Sequence, residues 1–139
     1  ILLRTSNPGG AELQKESAKA AAVVARWVRA WNSPLLDSNG LGPIGVVVGA
    51  TLGEELIEWR EELDNAWFLM PGYGAQGASA VDCRAGFRKD GLGALINSSR
   101  GVLFAGPNEE DVYNEAPGSL IRSKIEDAKE DLASAQRAH

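Results

Sequence analysis

The chain has 139 residues, 44% hydrophobic and 24% charged, with a formal net charge of -5 and a single cysteine. That describes one soluble domain or part of a larger one, with enough apolar residues to bury a core. The acidic balance excludes a general nucleic-acid binder, the lone Cys83 excludes an internal disulfide framework and fits a reducing cytosol, and no apolar run approaches the roughly 20 residues that span a bilayer.

In chain order, residues 1–4 form a short β-type run that ends in the turn formers Thr5-Ser6-Asn7-Pro8-Gly9-Gly10. Residues 11–31 predict a long helix, because Leu13, Ala20, Val23, Val24, Trp27, Val28 and Trp31 recur at helical spacing. A loop rich in Pro, Asn and Gly covers 32–42. Residues 44–48 are continuously apolar and β-branched, the pattern of a strand buried on both faces of a parallel sheet. Thr51 then reads as an N-cap, with Glu54 completing a capping box for a helix to about residue 63.

The next strand empties into Pro71-Gly72-Tyr73-Gly74-Ala75-Gln76-Gly77, and a helix is expected over about 79–87. The last strand, about 93–97, leads into Ser98-Ser99-Arg100-Gly101. After a loop over 106–118, Ser119 reads as the cap of an amphipathic helix with Leu120, Ile121, Ile125, Ala128 and Leu132 on its apolar side.

Four strand-helix units in strict alternation imply an α/β fold with a parallel sheet and right-handed crossovers. Every unusual loop, after Arg4, Val48, Met70 and Asn97, lies at the carboxyl end of its strand, where α/β enzymes place their sites. Two consecutive strand-loop units converging on one point read as a phosphate site. Glycines let backbone N–H groups approach an anion, and Arg100 adds a planar fork for its oxygens. Four units make half of an eight-unit barrel, and a small stand-alone flavodoxin-like sheet is the alternative.

Leu3-Arg4-Thr5-Ser6-Asn7-Pro8-Gly9, Val48-Gly49-Ala50-Thr51, the segment Pro71 to Gly77 and Asn97-Ser98-Ser99-Arg100-Gly101 together resemble the orotidine 5'-phosphate decarboxylase family. The resemblance implies the C-terminal half, units five to eight, of a (β/α)8 TIM barrel spanning residues 1–139. The whole barrel converts orotidine 5'-phosphate to UMP and CO2 without cofactor or metal. Carried over by position, Ser6 binds the amide edge of the pyrimidine, Pro71 packs near the ring, and Gln76 reaches the phosphate and closes toward Ser6. Arg100 and the backbone at Gly74, Gly77 and Ser99 hold the phosphate. The family's catalytic Lys and Asp residues lie in an Asp-x-Lys-x-x-Asp pattern on early strands, so no catalytic residue is expected in this segment. Asp127-Ala128-Lys129-Glu130-Asp131 has the residue types but not the spacing, and reads as a solvated helix face.

His139 is the only histidine and the last residue, which excludes a Ser-His-Asp triad and a multi-histidine metal site. Cys83 reads as a packed helix residue, and Trp27, Trp31, Trp59 and Trp67 as helix-sheet packing. Gln76 between glycines has little core to pack in, and Arg100 directly after a strand points over the barrel mouth. Ser6 before Asn-Pro is equally an ordinary turn residue. The chain opens at Ile1 inside an apolar run and is read as a fragment of a cytoplasmic protein. Its expected partners are orotidine 5'-phosphate or UMP, the N-terminal half of the barrel, and a second copy as a homodimer. Another phosphosugar-binding barrel lyase and a non-catalytic half-barrel are the competing functions.

Overall fold

The computed structural model describes residues 1–4, 18–103 and 117–137. Strands β1 (Leu2–Arg4), β2 (Val46–Val48), β3 (Phe68–Pro71) and β4 (Ala94–Asn97) form one parallel sheet in the order β1-β2-β3-β4. Between and after them lie α1 (Ala18–Asn32), α2 (Glu54–Glu62), α3 (Ala80–Arg84), α4 (Ser99–Leu103) and α5 (Pro117–Arg137). Sequential parallel neighbours joined by helices make a partial (β/α) barrel.

One sheet face carries the core. Val46, Val48, Phe68 and Met70 are buried against Ala25 and Val28 of α1, Leu56 of α2, Leu63 and Cys83. The other face is open. Leu2, Val47, Leu69 and Leu95 are register partners in one row across all four strands, and Leu2, Leu69 and Leu95 are 65%, 43% and 56% exposed. The expectation of a β2 buried on both faces is therefore corrected: a continuous Val-Val-Val run shows that both faces are apolar, not that both are covered.

Two buried polar side chains lock the helices to this sheet. Asn32, at the end of α1, donates to the carbonyls of Ile44 (2.9 Å) and Asn65 (3.1 Å) and accepts from the Ile44 N–H (3.0 Å). Gly42 has to be glycine beside it, because a Cβ there would lie 2.2 Å from the Asn32 Cγ. Arg60 of α2 donates to the carbonyls of Gly86, Gly93, Leu63 and Ala66, with its Cζ 3.7 Å from the centroid of the Phe68 ring. It closes the amino-terminal ends of β3 and β4, and burial lowers its pKa to about 10.

Several local expectations change. Thr51 does not cap α2: it lies in a 3-10 turn, Ala50–Leu52, and the helix starts at Glu54 after Gly53 with no side-chain cap. Glu54 and Glu55 in the first turn face the helix's positive end instead. Ser119 lies within the first turn of α5, which begins two residues earlier at Pro117, where a missing N–H costs nothing. Trp27 and Trp31 are 53% and 48% exposed, with ring centroids 6.1 Å apart, on the stripe beside the inward-facing Val24, Val28 and Asn32. Trp59 does pack on the core, as expected. The first turns of the long helix expected from residue 11 lie outside the described residues.

Candidate functional site at the carboxyl ends of β3 and β4

Pro71 and Asn97 are register partners at the ends of adjacent strands, so the two following loops leave the sheet side by side. Between them lies a cavity of about 60 Å³. Pro71, Tyr73 and Gln76 line it from one loop, and Asn97, Ser99 and Arg100 from the other. Four of the residues singled out in the sequence thus come together: Pro71, Gln76, Ser99 and Arg100. Gln76 and Arg100 are exposed at its mouth.

The glycine loop is a closed turn. Gly74 N–H donates to the Ala78 carbonyl (2.8 Å), Gly77 N–H to the Gly74 carbonyl (2.8 Å), and Ala78 N–H to the Gly72 carbonyl (3.1 Å). Gly74 and Gly77 have φ of 71° and 96°, a region that side-chain-bearing residues rarely adopt. Both N–H groups are used inside the loop, and neither glycine lines the cavity. Their contribution in this conformation is to the turn that presents Gln76. Gly74 passes close to the second loop, since a Cβ on it would lie 3.9 Å from the Ser98 Oγ.

Ser99 Oγ donates to the Asn97 side-chain oxygen at 3.0 Å, which ties the start of α4 to the end of β4. On the far side of the glycine loop, Ser79 caps α3 through a reciprocal box with Asp82 that holds the Asp82 carboxyl below its usual range. Tyr73 is half-buried against the core, and its hydroxyl donates to Asp131 of α5 at 2.8 Å. Burial first and Asp131 second push its pKa up to about 12. Asp131 is thus an exception in the charged segment 127–131, where Lys129 pairs with Glu126 on the exposed helix face.

At the end of β1, Arg4 reaches the first turn of α2. Its Nε and one terminal nitrogen bind the two Glu55 oxygens at 2.6 and 2.7 Å, and Trp59 Nε1 adds a third bond at 2.9 Å. The Arg4 hydrogen bonds hold the Glu55 carboxyl below its ordinary range against the cost of burial. Sequence reasoning missed this pair, because nothing local marks an arginine that pairs 51 residues away. Ser6, two residues beyond, lies outside the described residues, as does His139.

None of the four strands carries a lysine or a carboxylate. Among the described residues no group of three or more His, Cys, Asp or Glu side chains could hold a metal ion, and no helix is long and apolar enough to cross a membrane. Cys83 is a buried, packed residue of α3, as expected, and burial pushes its thiol up to about 11.

No protein-family model matches the chain. Among curated proteins, it is 46% identical over 113 residues to the orotidine 5'-phosphate decarboxylase of Rhodopirellula baltica, and 38% identical over 136 residues to that of Clostridium kluyveri. The chain is a relative of the orotidine 5'-phosphate decarboxylases. The two matches take in 79% and 95% of this chain but only 37% and 46% of those decarboxylases, so it spans less than half their length. Among solved structures, the Leishmania donovani OMP decarboxylase superposes with a TM-score of 0.65 at 28% identity, covering all of this chain and 48% of that one. The Leishmania donovani UMP synthase gives 0.60 at 34% identity over 90% of this chain and 26% of that one. The similarity to the decarboxylases therefore extends from the loop motifs to the sheet that carries them.

Proposed function

We propose that the chain is the C-terminal half of an orotidine 5'-phosphate decarboxylase barrel and supplies the phosphate and pyrimidine contacts of pyrimidine biosynthesis's last step. The observation that carries this reading is the meeting of Gln76 and Arg100 over one small cavity between the β3 and β4 loops. Arg100 offers fixed donors to phosphate oxygens, and Gln76 an amide that reaches the same anion while spanning toward the pyrimidine end, where Ser6 is assigned. Pro71 borders the ring. No cofactor or metal is assigned a role.

The phosphate does not react. Its binding energy serves to order loops and to seat the reacting end of the substrate away from water. The chemistry belongs to a lysine with a carboxylate partner on the complementary half: the C6–carboxylate bond breaks, CO2 leaves, the electron pair stays on C6, and the lysine ammonium delivers the proton. The open row of Leu2, Val47, Leu69 and Leu95 is the surface that the complementary strands cover, and the free edges of β1 and β4 are where they pair. The reading extends to the assembled barrel, which we assign to a homodimer in the cytosol.

The test is complementation. This chain alone should not release CO2 from orotidine 5'-phosphate, and mixing it with a separately produced N-terminal half carrying Asp-x-Lys-x-x-Asp should restore turnover. Turnover by the chain alone, or none by the mixture when both halves co-purify, overturns the assignment.

A further inference from the structure

The glycine loop is joined to α5 through Tyr73 and Asp131. Tyr73 sits at the loop's first turn, with its ring against the core and its hydroxyl on Asp131 at 2.8 Å, 58 residues away. Asp131 is itself held in place, because the neighbouring Leu132 packs on the core and Ala135, one turn on, is buried. The same tyrosine lines the cavity and bridges to Ala78, so both ends of the Gly74–Gly77 turn hang from it.

We propose that the Tyr73–Asp131 hydrogen bond is a positioning device: it sets the height of the glycine loop, and with it Gln76, over the cavity, so that α5 tunes the affinity for the phosphate end of the ligand. The inference rests on the assignment of this cavity to phosphate. Tyr73 acts through Gln76 and the loop backbone. Asp131, exposed on α5, has no part in lining the cavity.

The experiment measures competitive inhibition by UMP and by uridine in the barrel assembled from both halves, for Tyr73→Phe, Asp131→Ala, the double variant, Asp131→Asn and Arg100→Ala. Tyr73→Phe and Asp131→Ala should each weaken UMP by about three- to tenfold, the scale of one partly exposed hydrogen bond to a charged group, and leave uridine unchanged. The double variant should be no weaker than either single one. Asp131→Asn, which still offers an oxygen to the hydroxyl, should stay near wild type. Unchanged UMP inhibition in Asp131→Ala, or equal losses for UMP and uridine, overturns the proposal. Arg100→Ala separates the two levels: if it weakens UMP while the tyrosine and aspartate variants do not, the positioning role alone fails, and if it too leaves UMP unchanged, the phosphate assignment falls with it.

Discussion

Arg4 and Glu55 meet through two hydrogen bonds of 2.6 and 2.7 Å that join the end of β1 to the first turn of α2. The arginine is nearly buried and the carboxylate about one-third exposed, with side-chain exposures of 9% and 34%. The pair is therefore worth more than a surface ion pair and less than a fully desolvated one. It anchors the carboxyl end of β1.

Its pH signature has a definite sign. Glu55 is held below its unfolded value of 4.5, so the stabilisation is fully present above that pH and is lost as pH falls through the lower folded value. Glu55→Gln should cost about 1 to 2 kcal/mol at pH 7, after discounting for exposure, and the gap to wild type should narrow as the pH falls below 4.5. Urea denaturation on both sides of that value checks both halves of this expectation.

Arg60 gives a larger effect without that pH dependence. Its guanidinium serves four backbone carbonyls and lies under Phe68, so Arg60→Ala strands those acceptors and opens a cavity. A loss of about 3 to 5 kcal/mol is expected from chemical denaturation. Arg60→Lys should recover only a minor part, because one ammonium cannot span carbonyls from Leu63 to Gly93.

These two arginines mark where the sequence was silent. Alternating apolar runs and glycine-rich strand ends revealed the parallel units and the loops after β3 and β4, because turn chemistry and periodicity are local signals. Pairings across 51 residues, as between Arg4 and Glu55, or across the ring of Phe68, have no local signature, and neither pairing was anticipated. The Trp27 and Trp31 stripe failed for a related reason. Residues four apart share a helix face, but Val24, Val28 and Asn32 make an equally regular neighbouring stripe, and only the sheet decides which one turns inward. Likewise, the apolar residues of β2 and β3 announced two apolar faces without saying that one is left open.

That open face yields a prediction of its own. Leu69 is 43% exposed and points away from the helices that make this chain's core. Leu69→Asp should leave the far-UV circular dichroism of the segment unchanged and abolish its association with the complementary half, because closing the barrel would bury an unpaired carboxylate at a cost of about 3 kcal/mol or more. Retained co-purification of the two halves would show that this row of side chains is not covered in the assembly.

Arg100 carries the most direct functional expectation. It follows β4 by three residues, borders the cavity and is exposed. In the assembled barrel, Arg100→Ala should lower kcat/KM for orotidine 5'-phosphate by about 2 to 3 kcal/mol, the scale of a lost charge-assisted hydrogen bond, mostly through KM. Arg100→Lys should restore part of it, since an ammonium keeps the charge but not the planar fork. Gln76→Ala should weaken the same substrate, and the two losses should fall short of adding if both side chains hold one phosphate. Steady-state kinetics of the three single variants and the double one decide this, and strict additivity would place Gln76 and Arg100 on different parts of the ligand.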